Sequence, residues 1–232
     1  MKNACVLIVL LLVLIAFSNG TGPQTGSVTQ PLRRIDPLKH YWGDLDGFFN
    51  RQAESTLDLV EEGLLRFPPA LPEPLERRMA LLMVDGVLHD VEAPGHSAVQ
   101  EFFHARAETA LKAMTATRIE EGAVIWKLYN HGFVVRTPTV TIGFDLVRGH
   151  SSGEEGFPIS DDLAEQIVRQ CDVMFISHRH RDHADKFVAQ SFIDSGKPVV
   201  APLEVWKGKP IHKQITHLRR AANEKQRLPI QN

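Results

Sequence analysis

Cysteine is nearly absent from this chain, and so is net charge. Only Cys5 and Cys171 occur among 232 residues. Cys5 lies within an amino-terminal apolar run, so a chain that has shed the run keeps one thiol, which cannot close an internal disulfide. The fold must therefore rest on packing or on metal. Cys171 itself reads as an ordinary small residue near a helix end. Basic and acidic residues nearly balance, 26 against 28, for a formal charge of −2. That balance gives no indication of nucleic acid as a partner. A bilayer-spanning run is lacking too, because the apolar stretch from Ala4 to Phe17 falls short of the roughly 20 residues a membrane helix needs.

What stands at the amino terminus is the layout of a secretory signal peptide. Lys2 precedes the apolar run, and the small residues Ser18 and Gly20 suit cleavage before Thr21. Residues 1–20 are expected to direct export, to a periplasm or to the medium, and a membrane enters only if that segment is retained. Loss of Lys2 would leave 25 basic and 28 acidic residues, a formal charge of −3. Residues 21–37, rich in Gly, Thr, Gln and Pro without apolar periodicity, read as a linker.

Residues 38–120 read as a small helical region. Leu45, Phe48, Phe49, Leu57, Val60, Leu64 and Leu65 follow helical spacing until Pro68-Pro69 closes the segment. A second pattern begins near Pro74 and carries Leu75, Met79, Leu82 and Val87. A third opens at Ser97, three residues before Gln100 as in a capping box, and runs through Phe102, Phe103, Leu111 and Met114.

The pattern changes at Gly122. Segments 123–129 and 133–136 read as strands flanking the turn Asn130-His131-Gly132, and 139–145 as a third, which predicts a meander. Ser160 is a good N-cap for a helix carrying Leu163, Ile167 and Val168, with Asp161 and Asp162 favourably placed on the helix dipole. That helix feeds a strand, Val173 to Ile176. Phe187, Val188 and Phe192 mark a further helix closed by Gly196, and Pro198 to Ala201 a further strand.

Directly after Ile176 comes His178-Arg179-His180-Arg181-Asp182-His183, four metal-capable side chains within six residues. In an extended segment side chains alternate faces, so His178 and His180 can present imidazole nitrogens to one ion. A bend at Asp182-His183 turns the next pair toward a second. The position is the carboxyl end of a strand, where α/β sheets usually place their sites.

The hexapeptide, read as His178, His180, Asp182 and His183, resembles the signature of the metallo-β-lactamase-fold hydrolase superfamily. The resemblance covers Gly122 to Ala201 and implies an α/β fold, the first half of a four-layer αββα sandwich. That domain would occupy residues 121–232, preceded by the helical region. It further implies that His178 and His180 bind one metal and Asp182 and His183 another, with a shared water as nucleophile. Asp182 is the catalytic candidate, able to act as base if only one metal binds. Asp145 matches the acid that supports the metal loop by hydrogen bonding in that family. His131, in a turn the family fold sets near the cleft, is a candidate for substrate or second-sphere contact, while Arg179 and Arg181 are expected to face solvent. Zinc is the favoured cofactor, two ions in the complete protein, and iron or manganese would also accept a His/Asp site.

These features predict an exported metal-dependent hydrolase acting on an ester, amide, lactone or phosphodiester bond of a small-molecule substrate. The family's sites also need a third histidine, a bridging acid and a final histidine from the second half of the sandwich, and only 49 residues follow His183. His212 and His217 lie there in a basic segment without a matching strand pattern. The expectation is therefore an incomplete domain with an uncovered sheet face, poorly soluble or dimeric. The alternative is a truncated, non-catalytic metal-binding or interaction protein whose helical region binds a partner.

Overall fold

A computed structural model describes residues 44–89, 93–149, 159–218, 225–228 and 230. The expected signal segment, the linker, and residues 150–158 of the loop before Ser160 lie outside the described residues. The chain divides into two compact units between Ala98 and Val99.

The first unit is built on two helices, α1 (Leu45–Arg66) and α2 (Leu75–Leu88). Asp44 caps α1, its carboxylate accepting the Gly47 N–H at 2.8 Å. Ala53, Leu57, Val60 and Leu64 form the buried face of α1, while Leu45, Phe49 and Leu65 of the expected stripe are exposed. On α2 the expected stripe differs from the one observed. Leu75, Met79 and Leu82 are exposed at 66, 52 and 57%, and the buried residues are Arg77, Ala80 and Val84. Close helix approach explains the difference: a Cβ added at Gly63 of α1 would stand 3.1 Å from the Ala80 Cβ, so only small side chains fit there. Arg77 is fully buried because its guanidinium donates to the Phe67 carbonyl at 3.1 Å, satisfying an end of α1 that lacks a partner within the helix.

Helix α3 (Ser97–Ala116) starts within this unit. Ser97 is its first helical residue rather than its cap. The Asn50 side-chain oxygen takes the capping role, accepting from the Ala98 N–H at 3.1 Å and from the Ser97 hydroxyl at 3.2 Å. From Val99 onward α3 belongs to the second unit, although its spacing had grouped it with the helical region ending at residue 120.

The second unit carries β1 (Val124–Lys127), β2 (Phe133–Arg136), β3 (Thr141–Phe144), α4 (Asp161–Arg169), β4 (Val173–Phe175), α5 (Lys186–Asp194), β5 (Val199–Ala201) and β6 (Thr216–His217). The strands lie in sequence order in one sheet; β1 to β3 are the antiparallel meander, and β3 to β6 are parallel. Among the described residues the architecture is thus mixed α/β, with five α-helices and a six-stranded mixed sheet. Strand β6 was not foreseen from the sequence, since two residues leave no alternation to read. No helix among the described residues is long and apolar enough to cross a membrane.

Strand register explains the core. Trp126, Val134, Gly143, Met174 and Val199 are successive cross-strand partners and so share one face. That face packs with Ala110 and Met114 of α3, Leu163 and Ile167 of α4, and Val188 and Phe192 of α5. Burying each large aliphatic or aromatic side chain contributes about 1.5–3 kcal/mol. Gly143 is the low point of this face, because a Cβ there would meet Leu146 Cδ1 at 2.5 Å. Arg136 ties α3 to the sheet, donating to the carbonyls of Met114 and, at 3.0 Å, Thr117 at the helix end where a cation is favoured. The opposite face carries Ile125, Val135 and Ile142 in one row and Phe133, Phe144 and Phe175 in the next, all half-buried.

Candidate metal centre

The site grows from the ends of β3 and β4. Strand β4 leaves the sheet at Ile176, and the chain turns tightly through the histidine loop, with the N–H groups of His183 and Ala184 both bonded to the His180 carbonyl at 3.1 and 2.9 Å. Asp185 then caps α5 by accepting from the Phe187 N–H at 2.8 Å. Its carboxylate also receives Arg148, whose Nε donates at 3.0 Å, so the loop is clamped at its far end to the segment after β3.

Asp145 clamps the near end. It follows β3 in the left-handed region, φ 46°, which Asp tolerates better than most residues. Its N–H still bonds the Phe175 carbonyl at 2.9 Å. The carboxylate accepts the Ser177 N–H and the Ser177 hydroxyl, both at 2.7 Å, and lies 2.9 Å from His183 Nδ1. With a proton on that Nδ1, the His183 Nε2 is left bare and able to bind a cation. Asp145 therefore hydrogen-bonds both the start and the end of the histidine loop.

The loop brings His178 beside His180 and beside the His183 ring, while Asp182 approaches His183 alone among the motif residues. His178 Nε2 lies 3.1 Å from His180 Nδ1, close enough for both to reach one ion. The His178 and His183 rings lie 3.8 Å apart between centroids. His183 Nε2 is 3.6 Å from Asp182 Oδ2. Arg179 and Arg181 are exposed, as expected. His131 joins this group from the β1–β2 turn, stacked on His183 at 4.2 Å and 11° and with its Nε2 3.5 Å from Asp182 Oδ2. Partial desolvation and the neighbouring His183 hold the His131 imidazole below its ordinary pKa, toward the neutral form that binds metals.

No family model, curated protein or solved structure matches this chain. Neutral imidazoles with one carboxylate are a donor set suited to a divalent transition ion. His212 and His217 do not belong to it: their Nε2 atoms lie 3.0 Å from the carbonyls of Leu203 and His212, which engages them with backbone.

Three residues of the site were not foreseen from the sequence. Ser177 bridges Asp145, His178 at 3.0 Å and His183 at 3.1 Å. Its place between the strand and the first motif histidine was the available signal. Asn130 donates to Asp182 Oδ2 at 3.4 Å, and Lys127 donates to the carbonyls of Asn130 and Gly132. Burial lowers Lys127 to about 8, partly countered by the charge of Asp145. Burial and then the Asp182 charge push the neighbouring Tyr129 phenol up to about 12.

A shallow open cleft lies nearby, lined by Phe103, Lys127, Tyr129, Leu146, Arg148 and Val188 among others. Its walls are mostly apolar. None of the motif side chains lines it.

Proposed function

We propose that this chain is an exported metal-dependent hydrolase of the metallo-β-lactamase type, acting on an ester, amide, lactone or phosphodiester bond. The observation that carries this reading is the bracing of His183 and Ser177 by Asp145 at the carboxyl end of β4, beside His178, His180 and Asp182. The strand order of meander, helix and motif-bearing strand agrees with the first half of an αββα sandwich.

In this reading His178 and His180 hold one ion and Asp182 and His183 a second, zinc in preference to iron or manganese. An ion so held would lower the pKa of a bound water to about 7 and polarise a carbonyl or phosphoryl oxygen. If only one ion binds, Asp182, with its side chain 45% exposed, is open to accept a proton from water in the cleft. Asp145 orients His183, and Ser177 fixes the backbone from which His178 projects. Substituting both His178 and His180 with Ala is expected to abolish turnover across a panel of the four bond classes. Undiminished turnover would refute the assignment.

A second reading, a non-catalytic metal-binding or interaction protein, draws support from the apolar side chains that α2 exposes at Leu75, Met79 and Leu82. It predicts metal uptake with no hydrolysis in any of the four classes.

A further inference from the structure

His131 reaches the histidine loop from a different part of the sheet, and its placement is not accidental to the turn. Asn130 adopts the left-handed conformation, φ 53°, and Leu128 N–H closes the hairpin on the Gly132 carbonyl at 2.9 Å. Lys127 donates to the carbonyls on both sides of His131, those of Asn130 and Gly132. Asn130 Nδ2 reaches across to Asp182 Oδ2 at 3.4 Å. The first contacts fix the shape of the turn, and the last reaches from it to the histidine loop.

The resulting geometry is that of a chelate. The Nε2 atoms of His131 and His183 stand 3.5 and 3.6 Å from the same oxygen, Oδ2 of Asp182. One ligand atom from each of the three residues lies within 4.8 Å of the others. Donors about 2.1 Å from a tetrahedral ion are about 3.4 Å apart, so two edges of the triangle already have the required length.

We infer that His131, Asp182 and His183 form a three-ligand site for one divalent transition ion, complete within this chain. The inference rests on the proposed function only in assigning a metal to the loop, and it does not require hydrolysis. His131 then supplies the ligand that Asp182 and His183 would otherwise need from another segment. His178 and His180 stand outside this set, as a separate pair with nitrogens 3.1 Å apart. Two neutral imidazoles and one carboxylate leave a divalent ion with a net positive charge and an open position, the arrangement of zinc sites that bind an exogenous oxygen ligand. The class of ligand it takes is a small anion or a carbonyl or phosphoryl oxygen.

The test is metal binding by the chelator-treated full chain, using cobalt(II) absorption and zinc(II) competition with a chromogenic chelator. His131→Ala is expected to weaken the tightest site at least about tenfold, in line with the cost of disturbing a metal's ligand environment. His178→Ala/His180→Ala is expected to leave that site in place. His131→Cys provides a gain of signal that does not depend on loss: a thiolate-to-cobalt charge-transfer band in the near ultraviolet. Unaltered affinity in His131→Ala together with no such band in His131→Cys would overturn the inference. If the wild-type chain takes up no ion, this inference and the hydrolase proposal fall together. If uptake depends on His131 and no bond class is hydrolysed, only the hydrolase proposal falls.

Discussion

His183 Nδ1 lies 2.9 Å from Asp145 Oδ2, a contact between residues 38 apart in the chain. It joins the last histidine of the motif to the end of the neighbouring strand, and the left-handed backbone of Asp145 turns the carboxylate over the end of β4. The same carboxylate takes both the N–H and the hydroxyl of Ser177. One acid thus sets the tautomer of a candidate ligand and the start of its loop.

Replacing that acid with its amide removes one acceptor oxygen while keeping the shape. Asp145→Asn is expected to weaken zinc binding by about 10–100-fold, the usual cost of losing such a supporting contact. Chelator competition on the purified chain measures it. Wild-type affinity in the variant would remove Asp145 from the site.

Lys127 gives a pH dependence of defined sign. Its pKa falls to about 8 in the folded chain, first because of burial, against an ordinary value of about 10.4. Between those values the unfolded chain binds more protons than the folded one, so stability from this group rises with pH. Below pH 8 both states are charged and the burial penalty is present in full. The difference in urea stability between the wild type and Lys127→Met should therefore shift in favour of the wild type as pH is raised from 8 to 10. A difference that is flat with pH would mean the ammonium is not desolvated.

Cys171 is 1% exposed, and burial pushes its thiol up to about 12. In a Cys5→Ser chain, a thiol-specific disulfide reagent at pH 8 should find no reactive group until denaturant is added, because the thiolate is the nucleophile. Rapid native-state labelling would show that α4 opens locally.

Gly143 tests the helix-covered face. Leu146, 3% exposed, occupies the space a side chain would need, with Phe192 Cζ 3.6 Å from the same point. Gly143→Val should cost about 1–3 kcal/mol in equilibrium unfolding through overpacking. A neutral substitution would mean that the sheet and α5 separate more easily than their burial suggests.

Much of this arrangement is legible before any coordinates. The β2 range, the Ser160 cap and the helix over Leu163, Ile167 and Val168 follow from local pattern, because each depends on neighbours a few positions away. The cap of α3 is not legible, because it is supplied by Asn50, 48 residues from Ala98. The buried face of α2 is hidden for a related reason: helical spacing shows that an apolar stripe exists, but the small residue at Ala80 answers to the approach of Gly63 on α1. Ser177 and Lys127 escape notice because nothing in their local pattern distinguishes a structural hydrogen-bond hub from a strand-end serine or a strand lysine.

The sequence by itself determined which side chains are available to hold a metal and that they sit at the end of a strand, since alternation and apolar runs are local properties. It grouped His178, His180, Asp182 and His183 in one hexapeptide, and the resemblance to a known family offered Asp145 as a candidate support. Tertiary structure decided which nitrogens face which oxygens. The β1–β2 turn brings His131 to Asp182 across 51 residues, and only the antiparallel pairing of those strands, with Lys127 closing the turn from beneath, sets that approach. Distance along the chain carries no record of it, because the contact is created by the sheet.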